Sequence, residues 1–76
     1  MSQIIRAKDV KIGNIYVLTE NKQGSLENIK KDTEIVIFKD NYPMFSFSGV
    51  VITGQNKGDI LEFTWMNLNC GQLRTI

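Results

Sequence analysis

The residues best suited to chemistry in this chain are its rings. Tyr42, Phe45 and Phe47 fall within six positions, and Phe63 and Trp65 lie on the segment expected to pair with theirs. A small domain needs aromatic side chains for its interior, and Phe45, Phe47 and Phe63 are assigned there. Tyr42 differs, because it stands in the turn before Pro43, where a core role is hard to arrange. Its phenol can stack on a partner or hydrogen-bond to one. Lys39 precedes that turn, and Arg74 lies in the last segment. A mixed patch of Tyr42, Lys39, Trp65 and Arg74 with the amides of Asn67 and Asn69 is therefore the candidate binding site.

Catalytic chemistry is harder to assemble. The sequence contains no histidine, the commonest general base and metal ligand, and its one cysteine cannot build a structural zinc site. No metal and no cofactor is expected. Asp9, Glu20, Glu27, Asp32, Glu34, Asp40, Asp59 and Glu62 are scattered through turns and strand exteriors, which reads as a set of solvated surface charges. Cys70, between Asn69 and Gly71, has no adjacent cation to lower its pKa and reads as a semi-buried thiol. Ser46 and Ser48 alternate with phenylalanines and read as the solvent face of a strand. The run from Gly54 to Gly58 lacks the following helix and the Lys-Ser/Thr end of a phosphate loop. The chain is read as a non-enzyme.

The elements that must position the candidate patch are strands. Gly13 and Asn14 form a turn that leads into the β-branched and aromatic run Ile15-Tyr16-Val17-Leu18-Thr19. From Glu20 to Asp32 the chain is polar and too short in apolar content for an independent helix, so a long loop is expected there, pinned by Leu26 and Ile29. A second strand begins at Thr33 or Glu34 and ends at Lys39, before the turn that contains Pro43. The third runs from Met44 to Thr53, with Gly49 marking a bulge or sharp coil. Gly54 to Asp59 is a hairpin turn. The return strand, Ile60 to Met66, alternates Leu61, Phe63 and Trp65 against Ile60, Glu62 and Thr64, which places the large trio inward. A twist that instead brings Trp65 to a ligand site is the alternative. Asn67 to Gly71 turns the chain, and Gln72 to Ile76 closes as a last short strand.

Length and composition bound the rest. Seventy-six residues at 42% hydrophobic, 22% charged and a net charge of +1 describe one domain spanning 1–76. Such a core supplies about 3–5 kcal/mol, which favours a homo-oligomer, pairing through Leu73 to Ile76 or through the Met44 to Thr53 edge. No apolar run approaches the roughly 20 residues of a membrane-spanning helix, and the N-terminus lacks the apolar stretch of a signal peptide. With a lone cysteine, a reducing, cytoplasmic setting fits. Near-neutral charge argues against DNA binding driven mainly by phosphate neutralisation, although local cationic patches stay open.

The run Lys11-Ile12-Gly13-Asn14-Ile15-Tyr16-Val17, the long first loop, the Gly54 to Asp59 turn and the short terminal strand together resemble the SH3-like small β-barrel. The resemblance implies an all-β fold of about five strands. It is one of fold: there is no acidic first loop and no paired Trp-Pro-Tyr groove for proline-rich peptides, so that ligand is not carried over. The abundance of Ile, Asn and Lys is that of an AT-rich genome, a phage among the candidates. The first functional expectation is thus a binding module, of the phage accessory type, that inhibits a host protein or sequesters a small anionic ligand such as a nucleotide. The second is a nucleic-acid-binding barrel in which Arg6, Lys8, Lys11, Lys30 and Lys31 meet phosphates and Tyr42 or Trp65 stacks on bases.

Overall fold

A computed structural model describes residues 2–76. The domain is built mostly of strands, with one short helix. Gly13, at φ 92°, swings the chain into β1 (Ile15–Leu18), and its N–H donates to the Ile37 carbonyl at 2.7 Å. The long connection after β1 holds a small antiparallel hairpin, β2 (Lys22–Gln23) with β3 (Asn28–Ile29). Then come β4 (Glu34–Asp40), β5 (Ser46–Val51), β6 (Ile60–Thr64), the helix α1 (Trp65–Asn69) and β7 (Leu73–Arg74). The main sheet is antiparallel, in the order β6-β5-β4-β1-β7. Among the described residues no ladder joins β6 to β7, so the sheet does not close into a ring.

The core derives from the period-two pattern of β4, β5 and β6. Ile35 and Ile37, Phe47 and Val51, and Leu61 and Phe63 all point inward and are buried, joined by Leu18, Ile29, Leu68 and Leu73. Gly49 sits in the middle strand of the three, opposite Ile37 on one side and Leu61 on the other. A Cβ there would lie 2.6 Å from Ile35 Cγ2 and 3.2 Å from Phe63 Cε2. Its missing side chain is what lets the isoleucines and Phe63 pack across β5. The sequence pattern suggests a bulge at Gly49 itself; the bulge is on the neighbouring strand, between Ile37 and Lys39, where Phe38 is thrown outward.

Several expectations are corrected. Ile29 is fully buried, but Leu26 caps the hairpin tip in solvent, so the long connection is pinned by one apolar residue and not two. A second tether is Lys22, whose Nζ lies 4.7 Å from the Phe63 ring centroid and donates to Gln72 Oε1 at 2.9 Å. Ser46 is buried rather than solvent-facing. The Met44 to Thr53 segment is no edge, because β5 lies between β6 and β4. The terminal segment is an edge, yet residues 3–5 run along it: Ile4 bridges Arg74, and the Ile5 N–H donates to the Leu73 carbonyl at 3.1 Å. No helix among the described residues is long and apolar enough to cross a membrane.

This packing has two measurable consequences. Gly49→Ala forces a methyl into a filled core and lowers unfolding free energy by about 1–3 kcal/mol in chemical denaturation. Burial holds the Lys22 ammonium below its ordinary pKa of 10.5, against the opposing pull of Glu20 and Glu62. A carbon-13 NMR titration of Lys22 Cε therefore has its midpoint below 10.5, and Glu62→Gln moves it lower still. Since the folded value lies below the unfolded one, the unfolded chain binds more protons in that interval. The Lys22 contribution to stability thus rises with pH between the two values.

Candidate functional site

The exposed aromatic residues are gathered where β5 begins and β6 ends. The last rung of that ladder pairs Ser46 with Thr64. Beyond it both chains leave the sheet together, held by the Trp65 N–H donating to the Phe45 carbonyl at 2.9 Å. Phe45 therefore stands outside the sheet and is 61% exposed, which corrects its assignment to the core. Its ring packs against Trp65 at 4.8 Å between centroids, and Tyr42 meets it at 6.4 Å in an edge-to-face arrangement. Met44 and Met66 are also exposed. The three rings make an apolar cluster, with the two methionines next to it in sequence, on a surface where isolated apolar residues would be ordinary.

The turn that carries this face is held by polar groups. Asn41 donates through Nδ2 to the hydroxyls of Ser46 and Ser48, each at 3.1 Å, and the buried Ser46 hydroxyl donates in turn to Glu62 at 2.9 Å. The Tyr42 N–H donates to the Asp40 carboxylate, and the Met44 N–H to the Asn41 carbonyl. The Tyr42–Pro43 peptide is cis.

Trp65 is not a strand residue. Thr64 ends β6 and caps α1 reciprocally: its hydroxyl accepts from the Asn67 N–H at 3.0 Å, and its own N–H donates to Asn67 Oδ1 at 3.2 Å. This is a capping box with Asn in the place usually held by Glu or Gln. The change from strand to helix rotates Trp65 out of the alternation that buries Leu61 and Phe63, and it is 37% exposed. The Thr64-Trp65-Met66-Asn67 spacing was the signal in the sequence for this switch. The notion of a Trp65 in the core gives way to one at the surface.

The other expected site residues divide. Asn69 joins Trp65 in lining a solvent-open cavity of about 330 Å³ with Arg6, Ala7 and Lys8. Its Oδ1 accepts from the Ala7 N–H at 3.0 Å, and its Nδ2 donates to no other group among the described residues. Asn67 is spent on the helix cap. Arg74 pairs with Asp32 at 3.4 Å and lines neither cavity near the aromatic face. Lys39 is exposed on β4 opposite Ser48 and next to Asp40, near the base of the turn. Lys30 and Lys31 come directly after β3, away from the cavities, and the Lys31 N–H is bound to Asn21. Cys70 is exposed, not semi-buried, because α1 ends there at the surface. Met44, Phe45 and Met66 are the exposed residues here that sequence reasoning missed.

Among the described residues no three carboxylate or thiol groups gather closely enough to hold a metal ion. Compared with known proteins, the chain matches no family model, and no curated protein or solved structure aligns with it significantly.

The face and its support are separable by mutation. Phe45→Ser removes an exposed ring and leaves unfolding free energy within about 0.5 kcal/mol of the parent. Asn41→Ala deletes two hydrogen bonds beneath the turn and lowers it by about 1–2 kcal/mol. Equal losses for both variants, measured by urea unfolding, would contradict the placement of Phe45 at the surface.

Proposed function

We propose that this protein is a non-enzymatic binding module that captures its partner on the face formed by Tyr42, Met44, Phe45, Trp65 and Met66. The observation that carries this reading is the Phe45–Trp65 pair, packed ring against ring in solvent while Tyr16, Phe47 and Phe63 are buried. Folding does not require these rings outside, and aromatic and methionine side chains are the types enriched where partners dock. The Asn41–Ser46–Glu62 network supports the reading, because a face fixed before contact loses little entropy on binding. Such a module acts by occupancy, withholding whatever it covers from other contacts. The element order, with a long loop after the first strand, a late hairpin turn and a short terminal strand, supports an SH3-like scaffold at the level of fold.

Trp65 is the chain's one tryptophan, so a fluorine label on its indole reports on the face alone. In a concentrated bacterial lysate the fluorine-19 resonance of 5-fluorotryptophan-labelled protein shifts from its position in buffer, and the shift is lost in the Phe45→Ser variant. A resonance that stays at its buffer position in lysate overturns the reading.

A further inference from the structure

The aromatic face does not end at Trp65. The 3₁₀ turn Ala7–Asp9 packs beside α1, and through it the indole shares the 330 Å³ cavity with the side chains of Arg6 and Lys8. Lys8 also lines the next cavity, of about 690 Å³, together with Lys11 and Tyr16. A run of three rings thus passes directly into a run of three cations. None of those cations is ion-paired: the pair between Arg74 and Asp32 is the only one among the described residues. The acid beside them, Asp9, accepts from the backbone N–H of Arg6 at 3.3 Å and forms no ion pair, so three cations face one carboxylate and the net charge of the group is positive. Unpaired positive charge beside exposed rings calls for a ligand that is anionic along one side and flat and apolar along the other.

Resting on the binding-module reading above, we propose that the ligand is single-stranded nucleic acid, with bases on Tyr42, Phe45 and Trp65 and phosphates along Arg6, Lys8 and Lys11. A base laid on the indole in the smaller cavity has the free Asn69 amide as a donor for its carbonyl edge. Its phosphate falls to Arg6 and Lys8. The rings lie at 56° and 75° to one another, which suits unstacked bases and offers no slot for paired ones. A free mononucleotide would fill the smaller cavity but leave Phe45, Tyr42 and Lys11 unused. Duplex would present its backbone while hiding the base faces. The near-neutral net charge of the whole chain is no obstacle, because the cations are concentrated beside the rings.

The test titrates sixteen-residue oligothymidylate and oligouridylate against the full chain, read by Trp65 fluorescence and by anisotropy of an end-labelled strand, with duplex DNA and thymidine monophosphate as comparisons. Trp65 emission is quenched and anisotropy rises with either strand. Affinity falls about twentyfold between 50 and 200 mM salt, as three phosphate contacts on a single strand require. Tyr42→Ala and Phe45→Ala each weaken binding by about fivefold to a hundredfold while retaining the parent circular dichroism spectrum. Lys8→Gln reduces the salt slope by about 0.7. The inference is overturned if neither strand forms a complex at 50 mM salt, or if duplex or the mononucleotide binds as tightly as the strands. Should the strands fail while the Trp65 fluorine resonance still shifts in nuclease-treated lysate, a protein occupies the face and only this inference falls. Should neither respond, the binding-module reading falls with it.

Discussion

The packing of side chains from β4 and β6 over Gly49 is the constraint on which the rest of the molecule depends. With so few residues, a core forms only if the central strands can bring their side chains over one another, and the absent Cβ of Gly49 supplies the room. Ile35, Ile37 and Phe63 fill it. Leu18 and Leu73 extend the core through β1 and β7, and Leu68 closes it from α1. The hairpin of β2 and β3 is tied to the same core by Ile29 and by the Lys22 ammonium over Phe63. Two phenylalanines complete the aromatic part of this interior together with Tyr16, whose hydroxyl accepts from the Lys11 N–H at 2.9 Å.

A filled core explains why the remaining rings are outside. The β5–β6 ladder ends at the Ser46–Thr64 pair, and beyond that pair each arm is directed by a local device instead of by the sheet. On one side Asn41 and the buried Ser46 hydroxyl fold the chain into a tight turn. On the other, the Thr64–Asn67 box starts a helix. The Phe45 carbonyl and Trp65 N–H join the two devices, so that a turn and a helix from different hairpin arms present one continuous surface. Stability and presentation are thus divided between different residues: Gly49, Ile35, Ile37 and Phe63 hold the sheet, and Asn41, Ser46, Thr64 and Asn67 aim the rings.

The cationic flank depends on a third contact, between chain segments far apart in sequence. The Asn69 side chain accepts the Ala7 N–H, and residues 3–5 lie along β7. The N-terminal segment is thereby fixed against the end of α1, and Arg6 and Lys8 come to rest beside the indole, with Lys11 in the adjoining cavity. Free of that contact, the same charges would be unrelated to the aromatic face.

Much of the scaffold was legible in the sequence, because its strands obey short-range rules. β-branched runs and the alternation of Phe47, Val51, Leu61 and Phe63 determined a chain built mostly of strands and its inward face, and the Gly54 to Asp59 turn determined which strands are joined tightly. Tyr42 was legible as a surface ring from Pro43 beside it. Phe45 and Trp65 were not, since parity continues on paper past the point where the ladder stops. Only the tertiary structure decides where a strand ends, because that depends on a cap and a carbonyl partner supplied by another segment. It also decides which polar residues are free to bind: Asn67 and Arg74 are taken by a helix cap and by Asp32, and Asn69 is left facing a cavity. Residue type sets what a side chain can do, whereas its partners, drawn from distant parts of the chain, set what is left for it to do.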